Sequence, residues 1–285
     1  SVIPIPETLI RKLEKNIYTF LWGSKREQIK RTVCINTLEE GGLNMIDLQS
    51  KINALKLSWI PKYLKFHDQP WMYLLEFWIN KIGPLPLCFR FNCSRKDMFM
   101  LCNKKKVPPF YIDLLCAWCE IRYIEVTDIP DIGNEILWFN SNFKFKREVL
   151  FFKKWFEHDI VFVNQLLHNY CWKSTASVYQ MLDCKSLLID FEFLKLKKAI
   201  PNEWLRKGIE TNTKVIEEDY YVIRNYTVKL MNMKTKDFYT NLVKLKKSGP
   251  SILQYWQYKL GLPPEFEWIH VLQFKLKYLK HNKIK

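Results

Sequence analysis

Apolar residues recur every four positions from Leu9 through Leu13 and Ile17 to Leu21, a spacing that predicts a helix with one apolar face. Pro6 suits its first turn and Gly23 its end. Val33 and Ile35, then Leu43 and Met45, alternate with polar neighbours around Glu39-Glu40-Gly41-Gly42, which predicts a short strand and a small hairpin across the Gly-Gly turn. Asp47 is placed to cap a helix whose stripe runs Leu48, Ile52, Leu55, Trp59 and Tyr63, and Pro61 should kink or stop it. Asp68-Gln69-Pro70 breaks the chain before a further helix marked by Trp71, Leu74, Leu75 and Trp78. The stretch from Gly83 to Pro86, and Lys104-Lys105-Lys106 ahead of Pro108-Pro109, read as loops, and the run from Pro109 to Arg122 reads as helix.

Farther along, Phe139, Phe143 and Phe145 share their spacing with polar residues, which predicts a second short hairpin within 137–154. His158-Asp159 precedes an apolar run and reads as a helix start. Helical spacing returns over 161–167 and 186–196, with Pro201 closing that block, and the polar stretch from Glu217 to Tyr221 reads as a linker. Ser251 and Gln254 fit a capping box, with Leu260 and Gly261 closing the helix. Phe266, Ile269, Leu272, Leu276 and Leu279 then share one face of a last helix. The fold class is therefore mainly α: a multi-helix assembly with one or two short β-hairpins. It divides into residues 1–67, a helical segment with a basic loop and a Gly-Gly turn, 68–207, a helical region, and 208–285, a helical region after the polar linker.

Composition narrows the function. With 48% hydrophobic residues the chain of 285 residues can build a core, and 8 glycines favour helices over a sandwich or propeller. No apolar run reaches the ~18 residues that span a bilayer, and no secretory segment is visible, so an intracellular chain, nuclear or cytoplasmic, is expected. Lys and Arg number 45 against 29 Asp and Glu, a net charge of +16, which points to an acidic partner, most simply nucleic acid, with a membrane surface second.

Enzymatic signatures are missing: there is no G-x-x-x-x-G-K, no G-x-G-x-x-G, no H-E-x-x-H and no Asp-Asp pair for two-metal chemistry. No catalytic residue, cofactor or metal is assigned. Cys116 and Cys119 form a C-x-x-C, but zinc needs four ligands and no second pair lies at finger-like spacing. Leu114, Leu115, Trp118 and Ile121 surround the pair at helical spacing, so helix-packing cysteines are the reading. The densest basic cluster is Lys25, Arg26, Lys30 and Arg31, which follows Trp22. Such cations bind phosphates and release counterions. The competing reading puts Trp22 in the core and the cations on a solvated edge. Lys104 to Lys106, Arg206-Lys207 and Lys244 to Lys247 are weaker clusters of the same kind.

FLWGSKREQIKR from Phe20, then EEGGLNMIDLQSKINALKLSWI from Glu39, resemble the segment after the polymerase palm in LINE-type non-LTR retrotransposons. The likeness continues through PWMYLLEFW, PPFYIDLLCAWCEI, EILWFNSNFK and KKAIPNEWL, in family order, and weakens from about Ile209 to Gly249. It implies a piece of the reverse transcriptase polyprotein comprising its thumb-like and wrist-like regions, without endonuclease, palm or terminal Cys/His knuckle. The implied activity is holding a template–primer (RNA or an RNA/DNA duplex) by its phosphates, in company with the rest of the polyprotein. On the matched positions, Lys25, Arg26, Lys30 and Arg31 would contact phosphate, while Gly41 and Gly42 allow close backbone approach. Trp22, Trp59, Trp118 and Trp204 would be core anchors. A domesticated host protein that binds RNA or chromatin, or a protein-interaction module, fits the same charge.

Overall fold

A computed structural model describes residues 5–23, 27, 29–37, 40, 42–65, 69–84, 88–124, 133, 135–168, 171–201, 220–223, 226–246 and 260–261. These residues are mainly helical, with three two-stranded antiparallel hairpins among them. The chain forms two compact units. The first joins residues 1–56 to 235–285, and the second is Leu57–Lys234.

In the first unit, α1 runs Glu7–Leu21. Gly23, at φ 58°, follows its C-cap in the left-handed conformation that ends helices. The buried positions of α1 are Ile10 and Tyr18, whereas the expected stripe of Leu9, Leu13, Ile17 and Leu21 stays exposed. Tyr18 is the anchor because its ring and Glu14 one turn earlier meet Arg31. The expected strand at Val33 is instead a helical turn, α2, Arg31–Cys34. The chain still doubles back: the Leu43 and Met45 amides donate to the Cys34 carbonyl, and Asn44 to Asn36. Helix α3 spans Leu48–Leu57. Asp47 caps it, accepting the Ser50 amide at 2.7 Å. Its buried residues are Ser50, Asn53, Ala54, Lys56 and Leu57, whereas Leu55 of the expected stripe is exposed. Small and polar residues thus share the buried face, which a stripe of large apolar residues does not reveal.

In the second unit α4, Trp59–Lys65, follows α3 after a turn at Ser58. Pro61 has no amide to give the Leu57 carbonyl four residues back, so one continuous helix is broken in two. Helix α5 spans Pro70–Asn80, with Pro70 at its first position. Next, α6 (Arg95–Lys104) and α7 (Pro109–Arg122) form a helical hairpin joined by the Lys105–Pro108 turn. Phe110, Ile112 and every residue from Leu114 to Cys119 are buried, so α7 is the centre of the unit.

Hairpin β1–β2 (Lys144–Phe145 and Glu148–Val149) matches expectation. His158-Asp159 closes α8, Lys153–Glu157, rather than opening a helix, with Asp159 at φ 56° after the His158 cap. The stretch at 161–167 forms a 3-10 turn, Val163–Leu166, followed by the small hairpin of β3, Leu167–His168, and β4, Cys171–Trp172. Ser174 and Ser186 cap α9, Thr175–Met181, and α10, Leu187–Ala199, each accepting a backbone amide. The expected linker is corrected at its end. Tyr220–Ile223 is strand β5, paired with β6, Tyr226–Lys229, and buried Tyr221 holds it as packed structure. Helix α11, Thr235–Lys246, belongs to the first unit. The capping box at Ser251 and Gln254 and the Phe266–Leu279 face lie outside the described residues. Gly261 itself stands at φ 62°, in the left-handed region.

Gly83 is buried with no side chain to spare: a Cβ there would sit 2.6 Å from the Phe139 ring. Phe139 is itself held at φ 49° and stacked at 4.8 Å on Phe151, so it cannot easily step aside. Gly83→Ala should lower stability by about 1–3 kcal/mol, read as a shifted urea midpoint of the full chain. An unchanged midpoint would mean the ring moves freely.

Candidate nucleic-acid interface

Of the N-terminal basic cluster, Lys30 and Arg31 stand at the start of α2. Lys25 and Arg26 lie outside the described residues, as do Gly41, Trp204 and Arg206-Lys207. Lys30 precedes α2, is exposed, and has no acidic partner among the described residues. Arg31 is engaged. Its Nη2 donates to Glu27 Oε1 at 2.6 Å, Nη1 lies 3.7 Å from Glu14, and the guanidinium sits 4.6 Å above the Tyr18 ring. The hydrogen bond to Glu27 raises the pKa of Arg31 and lowers that of Glu27. Burial pushes the Tyr18 phenol up to about 12. Arg31 thus joins α1 to α2, and a phosphate reaching it meets two carboxylates.

Gly42 is buried, and a Cβ there would overlap the Asn36 carbonyl, so the close approach it permits is to this chain's own backbone. Trp22 and Trp59 are half-buried and Trp118 is buried, its Nε1 donating to the Phe89 carbonyl at 3.2 Å.

A second ion pair was invisible to sequence reasoning because its members are 199 positions apart. Lys246 Nζ donates to Asp47 Oδ1 at 2.7 Å, and the Asp47 amide donates to the Tyr239 hydroxyl at 3.1 Å. Between these groups and Arg31 lies a cavity of about 70 Å³. That holds a water or two, not a nucleotide, so a nucleic acid would meet this unit on its surface. Burial raises the pKa of Asp47, but hydrogen bonds from Lys246 and from Ser50 outweigh it and the net direction is down.

The C-x-x-C cysteines sit on α7, facing Cys93 and Cys102. Burial pushes Cys102 and Cys116 up to about 12 and holds Cys88 well above the ordinary thiol range. Hydrogen bonding with Cys93, and then burial, raise Cys119 too. Metal binding needs thiolate. Among the described residues no group of three or more His, Cys, Asp and Glu is placed to hold a metal ion. No helix among them is long and apolar enough to cross a membrane.

Against known proteins the chain is 26% identical, over 141 residues, to the transposon TX1 uncharacterized 149 kDa protein of Xenopus laevis. The aligned stretch is 48% of this chain and 11% of that protein, so the chain spans a small part of the relative it matches. No protein-family model matches the chain. No solved structure matches it. A similarity to a transposon protein therefore stands over about half of the sequence.

Two outcomes follow from these groups. The lowered pKa of Asp47 contributes stability above the usual carboxylate pKa of about 3.9, and that contribution is lost as pH falls through the folded value. Asp47→Asn, which keeps the cap, should cost less than about 1 kcal/mol at pH 7 and flatten the decline between about pH 5 and 3 seen in acid titrations followed by circular dichroism. In a thiol titration of the native chain, exposed Cys171 should react first and half-buried Cys184 next. The six buried cysteines should stay silent until denaturant is added.

Proposed function

We propose that the chain is a piece of a non-LTR retrotransposon reverse transcriptase polyprotein, from the region after the palm, that holds nucleic acid by its phosphates and leaves catalysis to other segments. The observation that carries this reading is the likeness to a transposon protein over 141 residues. The order of the sequence motifs and the net charge of +16 support it. Binding by backbone positions a duplex without reading its bases, and a basic helical surface suffices for that. Lys25, Arg26 and Lys30 are assigned to phosphate contact, with Arg31 supporting them from its ion pairs and Gly41 and Gly42 shaping the loop behind them. The partner is RNA or an RNA/DNA duplex, and the rest of the polyprotein where it is co-expressed.

The test is salt dependence. With about six phosphates contacted on a duplex, log affinity should fall against log salt with a slope near −5. Replacing Lys25, Arg26 and Lys30 with Ala should flatten that slope by about two to three, measured by fluorescence anisotropy. Equal and salt-insensitive affinity for RNA, DNA and an uncharged polymer would overturn the reading.

A further inference from the structure

A cleft of about 550 Å³ opens in the second unit between α6 and hairpin β1–β2, far larger than the cavity beside Arg31 and within the size range of small-molecule sites. Helix α6 supplies one wall. Lys96, Met100 and Lys104 recur every four residues and so share one face, and Leu101 lies beside them. The hairpin supplies the other wall with Lys144, Arg147 and Val149. Met100, Leu101 and Val149 supply the apolar part of a lining that is otherwise charged.

The charges do not cancel. The cleft holds two carboxylates. Asp97 is buried and already served by Lys144 at 2.5 Å and by the Ser94 and Ser141 hydroxyls. Glu148 accepts from Lys104 at 3.1 Å. Lys96 and Arg147 are left with no acidic partner among the described residues. Two further exposed lysines, Lys105 and Lys106, continue from the end of α6.

The hairpin is also built at a conformational cost. Its two turn residues, Lys146 and Arg147, stand at φ 51° and 70°. That is the conformation of a type I′ turn, for which Asn-Gly is preferred. Here two cations occupy it instead. Residues held in this conformation are enriched at ligand-binding sites.

We propose that this cleft seats an unpaired nucleotide of single-stranded nucleic acid, with its base against Met100, Leu101 and Val149 and its flanking phosphates against Lys96, Arg147 and Lys104. Apolar side chains set among cations fit the two halves of a nucleotide, a flat apolar base and an anionic backbone that cations bind. A duplex keeps its bases stacked and offers phosphates alone. The proposal extends the nucleic-acid reading to a second surface and rests on that reading only in the class of partner.

The test uses the full chain and fluorescently labelled oligouridine, with an RNA/DNA duplex and polyglutamate as comparisons. Lys96→Gln combined with Arg147→Gly should weaken oligouridine binding by about 10-fold and reduce the salt slope by about 1.4, two phosphates at ~0.7 each for single strands. Arg147→Gly also relaxes the left-handed backbone, so it should raise the melting temperature while lowering affinity, which separates lost binding from lost folding. Glu148→Gln removes an anion and frees Lys104, and should tighten binding about 2–3-fold. Photocrosslinking of 4-thiouridine-containing RNA should label peptides from 96–104 and 144–149. If the wild-type chain binds duplex with the expected slope and these variants leave oligouridine binding unchanged, the cleft assignment is wrong and the phosphate-holding reading survives. If polyglutamate competes as well as oligouridine does at equal charge, the cleft recognises acidic chains in general and the nucleotide proposal is overturned. If the wild-type chain binds no nucleic acid, both fall.

Discussion

Helix α7 is covered on nearly every side, and a buried cylinder of apolar side chains imposes a condition on whatever surrounds it. Besides α5, α6 and β5, irregular segments such as 88–94 and 135–142 lie around it, and their backbone amides and carbonyls do not pair with one another as a sheet would. Side chains supply the missing partners. Trp118 donates to the Phe89 carbonyl, and Arg122 to those of Arg90 and Phe91. Asn92 exchanges hydrogen bonds with both backbone groups of Ile124, and Asn140 donates to the Ile136 carbonyl. Unsatisfied buried polar groups cost about 1–3 kcal/mol each, so these few side chains are what lets irregular segments close over a helix so apolar.

The same demand explains which parts of the fold were legible in the sequence. Helix α7 was legible because its length, its prolines and its apolar density all point one way. Hairpin β1–β2 was legible from alternating phenylalanines. The faces of α1 and α3 were misjudged because burial there follows an ion-paired anchor at Tyr18 and small residues such as Ala54, neither of which stands out in a hydrophobic pattern. Strand β5 was read as a linker because Glu217-Glu218-Asp219 dominates its surroundings, although Tyr221 a few residues on is buried. At the candidate interface, composition signalled an acidic partner. Glu27 stands four positions before Arg31 and so was within reach of spacing, but the pairing of Arg31 with Glu14, and of Asp47 with Lys246, depends on tertiary neighbours that spacing does not encode.

The cations of this chain therefore do two different kinds of work. Some, such as Arg31, Lys144 and Lys246, are tied to carboxylates and hold elements together. Others, including Lys30, Lys96 and Arg147, have no such partner among the described residues, and it is these that give a net charge of +16 its reach into solvent. A count of basic residues treats both groups alike. Geometry separates them.

The first unit is discontinuous along the chain, since residues 1–56 are completed by a segment that starts at Thr235. A ribosome adding ~5–20 residues per second needs on the order of ten to thirty-five seconds to make the stretch between. For most of that interval α1 and α3 exist with neither Tyr239 nor Lys246 yet made, and the second unit, contiguous in sequence, is synthesised completely before them. The order of synthesis thus sets an order of assembly, in which the unit that contains the N-terminal helices is the last to close.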